Sequence, residues 1–449
     1  MSSPSWIPRR FPILSLLLLA LGGAAAAQQS LPECVHAALS NNPGLKVAES
    51  EAGIAAADAD QAKAARLPSL DFSGSYRRQS TIPELHFDAP LFQQFFPKGG
   101  IKLGSLDNSD LRLTLSQPLF TGFRLSGSRR AAEAMAGAKE SELKRQRGEL
   151  IFRVESAYAA LLQAQKGAEI ARSAREQIAA HLRDVEVMVE QGLARRDERL
   201  RVEVKASEAD LALLQAENGV ALAAAALENL LAAPLPAGTG LTAMGPGHIE
   251  PGTLEASLQL AAANREELAS LARAHQAADA GRKIARGGRL PALAGFASYG
   301  YGKPGLDMIR NEWMDYWLVG VGAEWNLWNG GRTVSRIEQA ELRLKGIAES
   351  ERQLREAIAL DVKQAHLRLN EASKRLEVAG RMAEQARASF AVTEKQYQQG
   401  QASNTDYFDA QSELTRALLQ QSGAEIESDL ARANWRRAVG LGEKEYSQF

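Results

Sequence analysis

Apolar positions in this chain follow two different periods. Leu70, Phe72, Gly74 and Tyr76 alternate with Asp71, Ser73, Ser75 and Arg77, and Leu111, Leu113, Leu115 and Leu119 alternate with Arg112, Thr114, Ser116 and Pro118. A matching pair follows later: Leu293, Gly295, Ala297 and Tyr299, then Val319, Val321, Ala323, Trp325 and Leu327 against Gly320, Gly322, Glu324 and Asn326. A period of two predicts strands with one apolar and one polar face, as in a half-buried hairpin or a barrel wall between lipid and water. Trp313, Tyr316, Trp317, Trp325 and Trp328 gather around the last of these strands, as aromatic side chains do at membrane interfaces.

Elsewhere the period is helical. Leu150, Val154, Ala157, Tyr158 and Leu161 recur at helix spacing in one stretch, and Leu354, Ile358, Val362, Ala365 and Leu369 in another. No proline falls between Pro118 and Pro234, and none after Pro304. Each stretch therefore predicts a helix reaching about 100 Å, far longer than a globular helix and suited to coiled-coil packing. Gly192 and Gly400 end these helices, and return helices are expected over about 197–232 and 406–438. Ser403-Asn404-Thr405-Asp406 fits a capping box at the second return helix, whereas the first has Ala194 at the matching place. Ala-rich opening helices are expected over about 31–66 and 254–289, each halted by a proline that disfavours helix in the residue before it.

The two sets of elements predict a tandem repeat. Leu31–Tyr76 overlays Leu254–Tyr299 without a gap, and Arg66-Leu67-Pro68-Ser69-Leu70 falls on Arg289-Leu290-Pro291-Ala292-Leu293. In a second register Pro118–Arg124 falls on Asn326–Arg332, and Arg124 to Gly192 and Arg332 to Gly400 both span 68 residues. The change of register is confined to the loop between the strands, which is longer in the first half. The reading is a first repeat over 28–233, a Pro- and Gly-punctuated linker over 234–253, and a second repeat over 254–449.

Composition changes the picture in one respect. Arg9 and Arg10 precede an apolar run from Phe11 to Leu21 and then Ala25-Ala26-Ala27, the pattern of a cleavable secretory signal over 1–27. Beyond it no run of about 18 apolar residues exists, so a membrane-resident mature chain would have to enter lipid as a β-barrel. The balance of 53 basic against 54 acidic residues gives no sign of nucleic-acid binding. The one cysteine, Cys34, reads as a small buried apolar residue. No H-E-x-x-H, G-x-S-x-G or phosphate-loop pattern occurs, and the six histidines are scattered, so no enzyme, metal site or cofactor is expected.

Four strands cannot close a barrel, and an open strand edge leaves backbone groups unsatisfied in lipid. Two chains would supply eight strands, a barrel just filled by side chains, so a conduit needs at least three chains.

Ala37-Ala38-Leu39-Ser40-Asn41-Asn42-Pro43, the Leu-Pro-x-Leu lead-in to the first strand of each half, Gln117-Pro118-Leu119-Phe120-Thr121-Gly122 and the Gly-plus-acid helix turns together resemble the TolC-like outer-membrane efflux proteins. The resemblance covers essentially the whole mature chain. It implies a mainly α fold with a small β part: a long-helix α-barrel in the periplasm and a shared transmembrane β-barrel, four strands per chain in a homotrimer. It further implies a channel of a tripartite efflux or type I secretion system that docks a periplasmic adaptor and an inner-membrane pump. Gly192, Leu193, Gly400, Gln401 and Ala402 would then form the adaptor-docking turns. Asp406, Asp409, Glu198 and Tyr397 match positions at the narrow periplasmic gate. Symmetry would crowd the aspartates, favouring cations and raising some of their pKa values. Where the family's prototype has an arginine two residues after the glycine, this chain has Ala402, so a latch would have to use other partners, with Arg195 and Arg196 the nearby candidates. The rival reading, a soluble periplasmic coiled-coil adaptor, accounts for the helices and leaves the alternating hairpins unexplained.

Overall fold

The computed structural model describes residues 28–85, 101–236, 240–245, 247 and 249–446. The expected signal over 1–27, the loop phenylalanines Phe87, Phe92, Phe95 and Phe96, and Phe449 lie outside them.

The first half runs α1 (Leu31–Asn41), α2 (Pro43–Ala64), β1 (Ser69–Arg78), β2 (Asp107–Thr121), α3 (Arg124–Glu190) and α4 (Arg196–Leu231). The second half has the same order: α5 (Leu254–Asn264), α6 (Glu266–Gly287), β3 (Ala292–Lys303), β4 (Met314–Glu324), α7 (Arg332–Gln398) and α8 (Asn404–Ala438), then a short α9 (Gly442–Tyr446). The long helices α3 and α7 are each 67 residues, about 100 Å at 1.5 Å per residue. Strand β4 stops at Glu324, short of the expected Leu327.

The expected single opening helices are each broken in two. Pro43 has no N–H to continue α1, and the Asn42 side chain instead accepts from the Leu45 N–H at 3.2 Å while donating to the Leu230 carbonyl at 3.0 Å. In the second half no proline is needed. Arg265 takes an extended conformation, and its guanidinium reaches Glu267, Asp361 and the Ala438 carbonyl.

In both halves the opening helix packs where the long and return helices meet. Cys34, Val35 and Ala38 of α1 pack with Ile151, Val154 and Tyr158 of α3 and with Leu227 and Leu231 of α4. Ala261 of α5 lies with Ile358 and Val362 of α7 and with Trp435 of α8. Each fully buried Leu, Ile or Val contributes about 1.5–3 kcal/mol. Burial also pushes the Cys34 thiol up to about 11, which leaves it an inert core residue. The two halves are joined here by a buried ion pair, Arg436 to Glu155 at 2.9 Å, with the Tyr446 hydroxyl donating to the same carboxylate at 2.8 Å.

Beyond this belt the helices form a wall only one layer thick. The buried positions of α7 are dominated by alanine, including Ala340, Ala372, Ala379, Ala383 and Ala386. Small side chains let neighbouring helices approach closely. The other faces carry apolar residues in the open, such as Leu211, Leu214 and Leu222 on α4 and Leu342, Leu360 and Leu367 on α7.

The four strands form one antiparallel sheet in the order β1-β2-β3-β4. The register sorts its two faces. Leu70 sits opposite Leu115, Leu115 opposite Ala297, and Ala297 opposite Val319; Phe72, Leu113, Tyr299 and Trp317 form the next row. The reverse face carries Ser73, Arg112, Gly300 and Tyr316 in one row. There the Tyr316 hydroxyl donates to Asp110 and accepts from Arg112 at 3.0 Å. Tyr316 therefore belongs to the polar face, while Trp317 stands on the apolar one, 73 % exposed. Strands of 10 to 12 residues in β1, β3 and β4 match the roughly 9–11 that a tilted strand needs to cross a bilayer.

The sheet meets the helices at a close backbone contact. A Cβ on Gly287, the last residue of α6, would fall 1.8 Å from the Gly122 carbonyl oxygen. A Gly287→Ala substitution is expected to abolish assembled protein in the outer-membrane fraction. Gly281→Ala, where a Cβ meets nothing within 4 Å, should assemble as the parent does. Fractionation with gel electrophoresis of unheated samples reads both.

Candidate functional site: the paired helix turns

At the ends of α3 and α7 remote from the sheet, the chain reverses twice in the same way. Gly192 (φ 72°) and Gly400 (φ 70°) take a left-handed conformation that a Cβ would strain. The Leu193 N–H then bonds the Met188 carbonyl at 2.8 Å, and the Gln401 N–H bonds the Gln396 carbonyl at 2.8 Å. These bonds satisfy carbonyls left over at each helix end. Leu193 stands 76 % exposed at the first turn.

The two return helices start differently. At α8 the Ser403 side chain accepts from the Asp406 N–H at 3.2 Å, while Asp406 Oδ2 accepts from the Ser403 N–H at 2.8 Å and from its hydroxyl at 2.7 Å. This is the predicted capping box. At α4 the N-cap is Arg195, with no side-chain cap. Its guanidinium lies 3.4 Å from Asp197 and 3.5 Å from Glu198, inside its own turn. Arg195 is thus engaged locally, and Arg196 is exposed.

Asp406 and Asp409 are both exposed and, three residues apart, share one helix face. Within the chain the Ser403 hydroxyl, and then its backbone N–H, hold the Asp406 carboxyl below the usual range. Asp406 therefore stays ionised to lower pH than an ordinary aspartate. Tyr397 is half-buried; burial first, and the Glu198 charge second, push its phenol up. The four acidic and aromatic positions thus lie at one end of the molecule, with Glu198 near enough to Tyr397 to be felt electrostatically. Among the described residues no group of three or more His, Cys, Asp or Glu side chains is placed to hold a metal ion.

One residue at this end gave no signal in the sequence. His181 of α3, 4 % exposed, points into the α7–α8 turn. Its ring stacks on Tyr407 with centroids 4.1 Å apart and meets Tyr397 edge-on at 4.7 Å and Phe408 at 5.4 Å. Its Nε2 bonds Asn404 Oδ1 at 2.6 Å. Below it Val185 and Val202 pack with Ala383, Ala386 and Phe390. A histidine among charged neighbours on a long helix has no local pattern to mark it; only the packing of α3 on α8 reveals the cage.

Comparison with known proteins agrees with this architecture. The family model for outer membrane efflux proteins matches residues 34–233 and 257–441. The alkaline protease secretion protein AprF of Pseudomonas aeruginosa is 26% identical over 412 residues, which cover 90% of this chain and 83% of that protein. The open-state MtrE outer membrane channel of Neisseria gonorrhoeae superposes with a TM-score of 0.78 at 19% identity, covering 93% of this chain and 91% of its own. The outer membrane protein VceC of Vibrio cholerae gives 0.74 at 19%, covering 91% and 96%. At such identities the two solved structures speak for the fold alone.

The exposed carboxylates generate a direct expectation. If Asp406 and Asp409 ring the narrow entrance as the resemblance implies, Asp406→Ala with Asp409→Ala should alter cation block or conductance in planar bilayers while leaving assembly intact. Unchanged cation sensitivity would remove both from the gate.

Proposed function

The chain belongs to the outer membrane efflux protein family, a family of channels with a long periplasmic helical extension, and on that premise we propose that three copies close one conduit through the outer membrane. The observation that carries this reading is the sheet. It is a four-stranded wall with an exposed apolar face, an opposite polar face and two unpaired edges, β1 and β4. Pairing β4 of one copy with β1 of the next satisfies both edges, and three copies supply twelve strands. The apolar face then meets lipid, and Arg112, Asp110 and Tyr316 face the water-filled interior.

The one-layer helical wall supports the same arrangement. Its exposed leucines on α4 and α7 become contacts between copies, and the paired turns at Gly192 and Gly400 become the periplasmic tips. The tips are the part of the chain that reaches farthest from the membrane. Gly192, Leu193, Gly400, Gln401 and Ala402 there meet a periplasmic adaptor that couples the conduit to an inner-membrane pump, and Asp406, Asp409, Glu198 and Tyr397 line the narrow entrance. The relative named for alkaline protease secretion supports protein secretion, beside small-molecule efflux, as the class of transport.

The mass of the protein extracted from outer membranes, corrected for detergent, tests the assembly. Three chains are expected; a soluble monomer or dimer absent from the membrane fraction would sink the shared barrel and restore the coiled-coil adaptor reading. Gly400→Pro tests the tip, because proline cannot adopt the left-handed turn or donate the N–H that bonds the Tyr397 carbonyl at 2.9 Å. Pump-dependent export should be lost while membrane insertion persists. Export that survives the change would end the docking assignment.

A further inference from the structure

We propose that His181 is a proton-sensitive latch, whose protonation releases the α7–α8 tip from α3 and so loosens the periplasmic end of the conduit. The proposal rests on the channel reading for its consequence and on the geometry of the cage for its mechanism. A single imidazole from α3 touches both helices of the other half's tip, Tyr397 on α7 and Asn404, Tyr407 and Phe408 on α8. The contact lies directly at the start of α8, three residues or fewer from the capping box that sets its direction.

The chemistry distinguishes the two states of the ring. A neutral ring can give its single N–H to Asn404 Oδ1 and carries no charge into the aromatic cage. A protonated ring keeps that bond but adds a second N–H and a full charge inside the cage. The nearest carboxylates lie outside it: Asp184 on the next turn of α3, Glu394 on α7 near Tyr407, and Glu198 on α4 facing Tyr397. Asp184 is the group toward which a charged ring would turn, and turning there abandons Asn404. The phenols of Tyr397 and Tyr407 are both raised by burial, so they remain neutral throughout and offer no competing charge.

The sign follows from the burial. Desolvation holds His181 below its ordinary value of 6.5, outweighing the Asn404 bond and the Asp184 charge that act in the other direction. The packed cage therefore prefers the neutral ring. Packing is favoured above pH 6.5 and weakens progressively as the pH falls below it. Asp406, held low by its cap, titrates in a more acid range and does not produce the same transition.

The test places spin labels at Gln191→Cys and Gln401→Cys, one on each tip, in full-length protein diluted with unlabelled chain, and measures their separation at about pH 7.5 and about pH 5.5, on either side of an ordinary histidine titration. Cys34 is fully buried and stays out of the labelling. The parent should shift to longer and broader distances at the lower pH. His181→Gln, which keeps a donor for Asn404 without a titrating charge, should show one distribution at both. His181→Phe, which fills the cage without that bond, should also be indifferent to pH, and serves if the glutamine variant fails to fold. A parent that does not respond, or a variant that responds equally, overturns the latch. Bilayer conductance recorded alongside separates the two readings. No conductance at any pH counts against the channel, while the distances alone decide the latch.

Discussion

The backbone edge of the sheet is the constraint on which the rest of the structure depends. In water, the unpaired N–H and C=O groups of β1 and β4 would bond solvent. In hydrocarbon they cannot, and each one left open costs several kcal/mol. The apolar face of the sheet, from Phe72 across Leu113 and Tyr299 to Trp317, commits those strands to lipid. In the proposed conduit, lipid in turn commits the edges to pairing with other copies. Folding and association would then be parts of one process. In that proposed assembly the exposed leucines of α4 and α7 become the helical continuation of the same contact.

The join between sheet and helix shows how little freedom this leaves. A strand pair and a helical wall have different spacings, so the connection must bring α6 and the end of β2 together at backbone distance. Gly122 and Gly287 supply it, each with its carbonyl where the other's Cβ would be. The following residue, Phe123, sits in a left-handed conformation uncommon for a side-chain-bearing residue, where the second half has Gly331 instead. Its ring packs edge-on against Phe120 at 5.5 Å. The first half thus offsets a strained backbone with an aromatic contact that the second half does without.

Most of this architecture was legible in the sequence because it is local. Alternation named the strands and their faces, the absence of proline named the long helices, and Gly192, Gly400 and Ser403 named the turns and the cap. What escaped has a tertiary cause. The break at Arg265 carries no proline or glycine; it depends on Asp361 and the Ala438 carbonyl, which come from other helices. Tyr316 read as one more interfacial aromatic until the register paired it with Gly300 and set its hydroxyl on Asp110 and Arg112. His181 belongs to the same class, since its meaning lies in residues more than two hundred positions away. The proposed gate role of Asp406, Asp409, Glu198 and Tyr397 came from the family resemblance, and the chain's own geometry adds only that they share one end.

The two tips differ in a way that the matching turns conceal. Both reverse through a glycine, and in each the N–H of the following residue bonds the carbonyl five residues back. The first leads into α4 through an uncapped arginine whose charge is balanced within its own turn. Farther along, ion pairs from Arg172 to Glu217 and from Arg175 to Asp210 tie α3 to α4. Such exposed pairs contribute little, and salt screens them. The second leads into α8 through a closed capping box and is held from the side by a buried aromatic cage. Packing of that kind responds to a change of charge inside it far more than to salt. The second hairpin is tied along its length as well, Arg375 of α7 pairing with Glu427 of α8 at 2.8 Å, and it carries in addition the cage through which His181 of α3 holds it from the side.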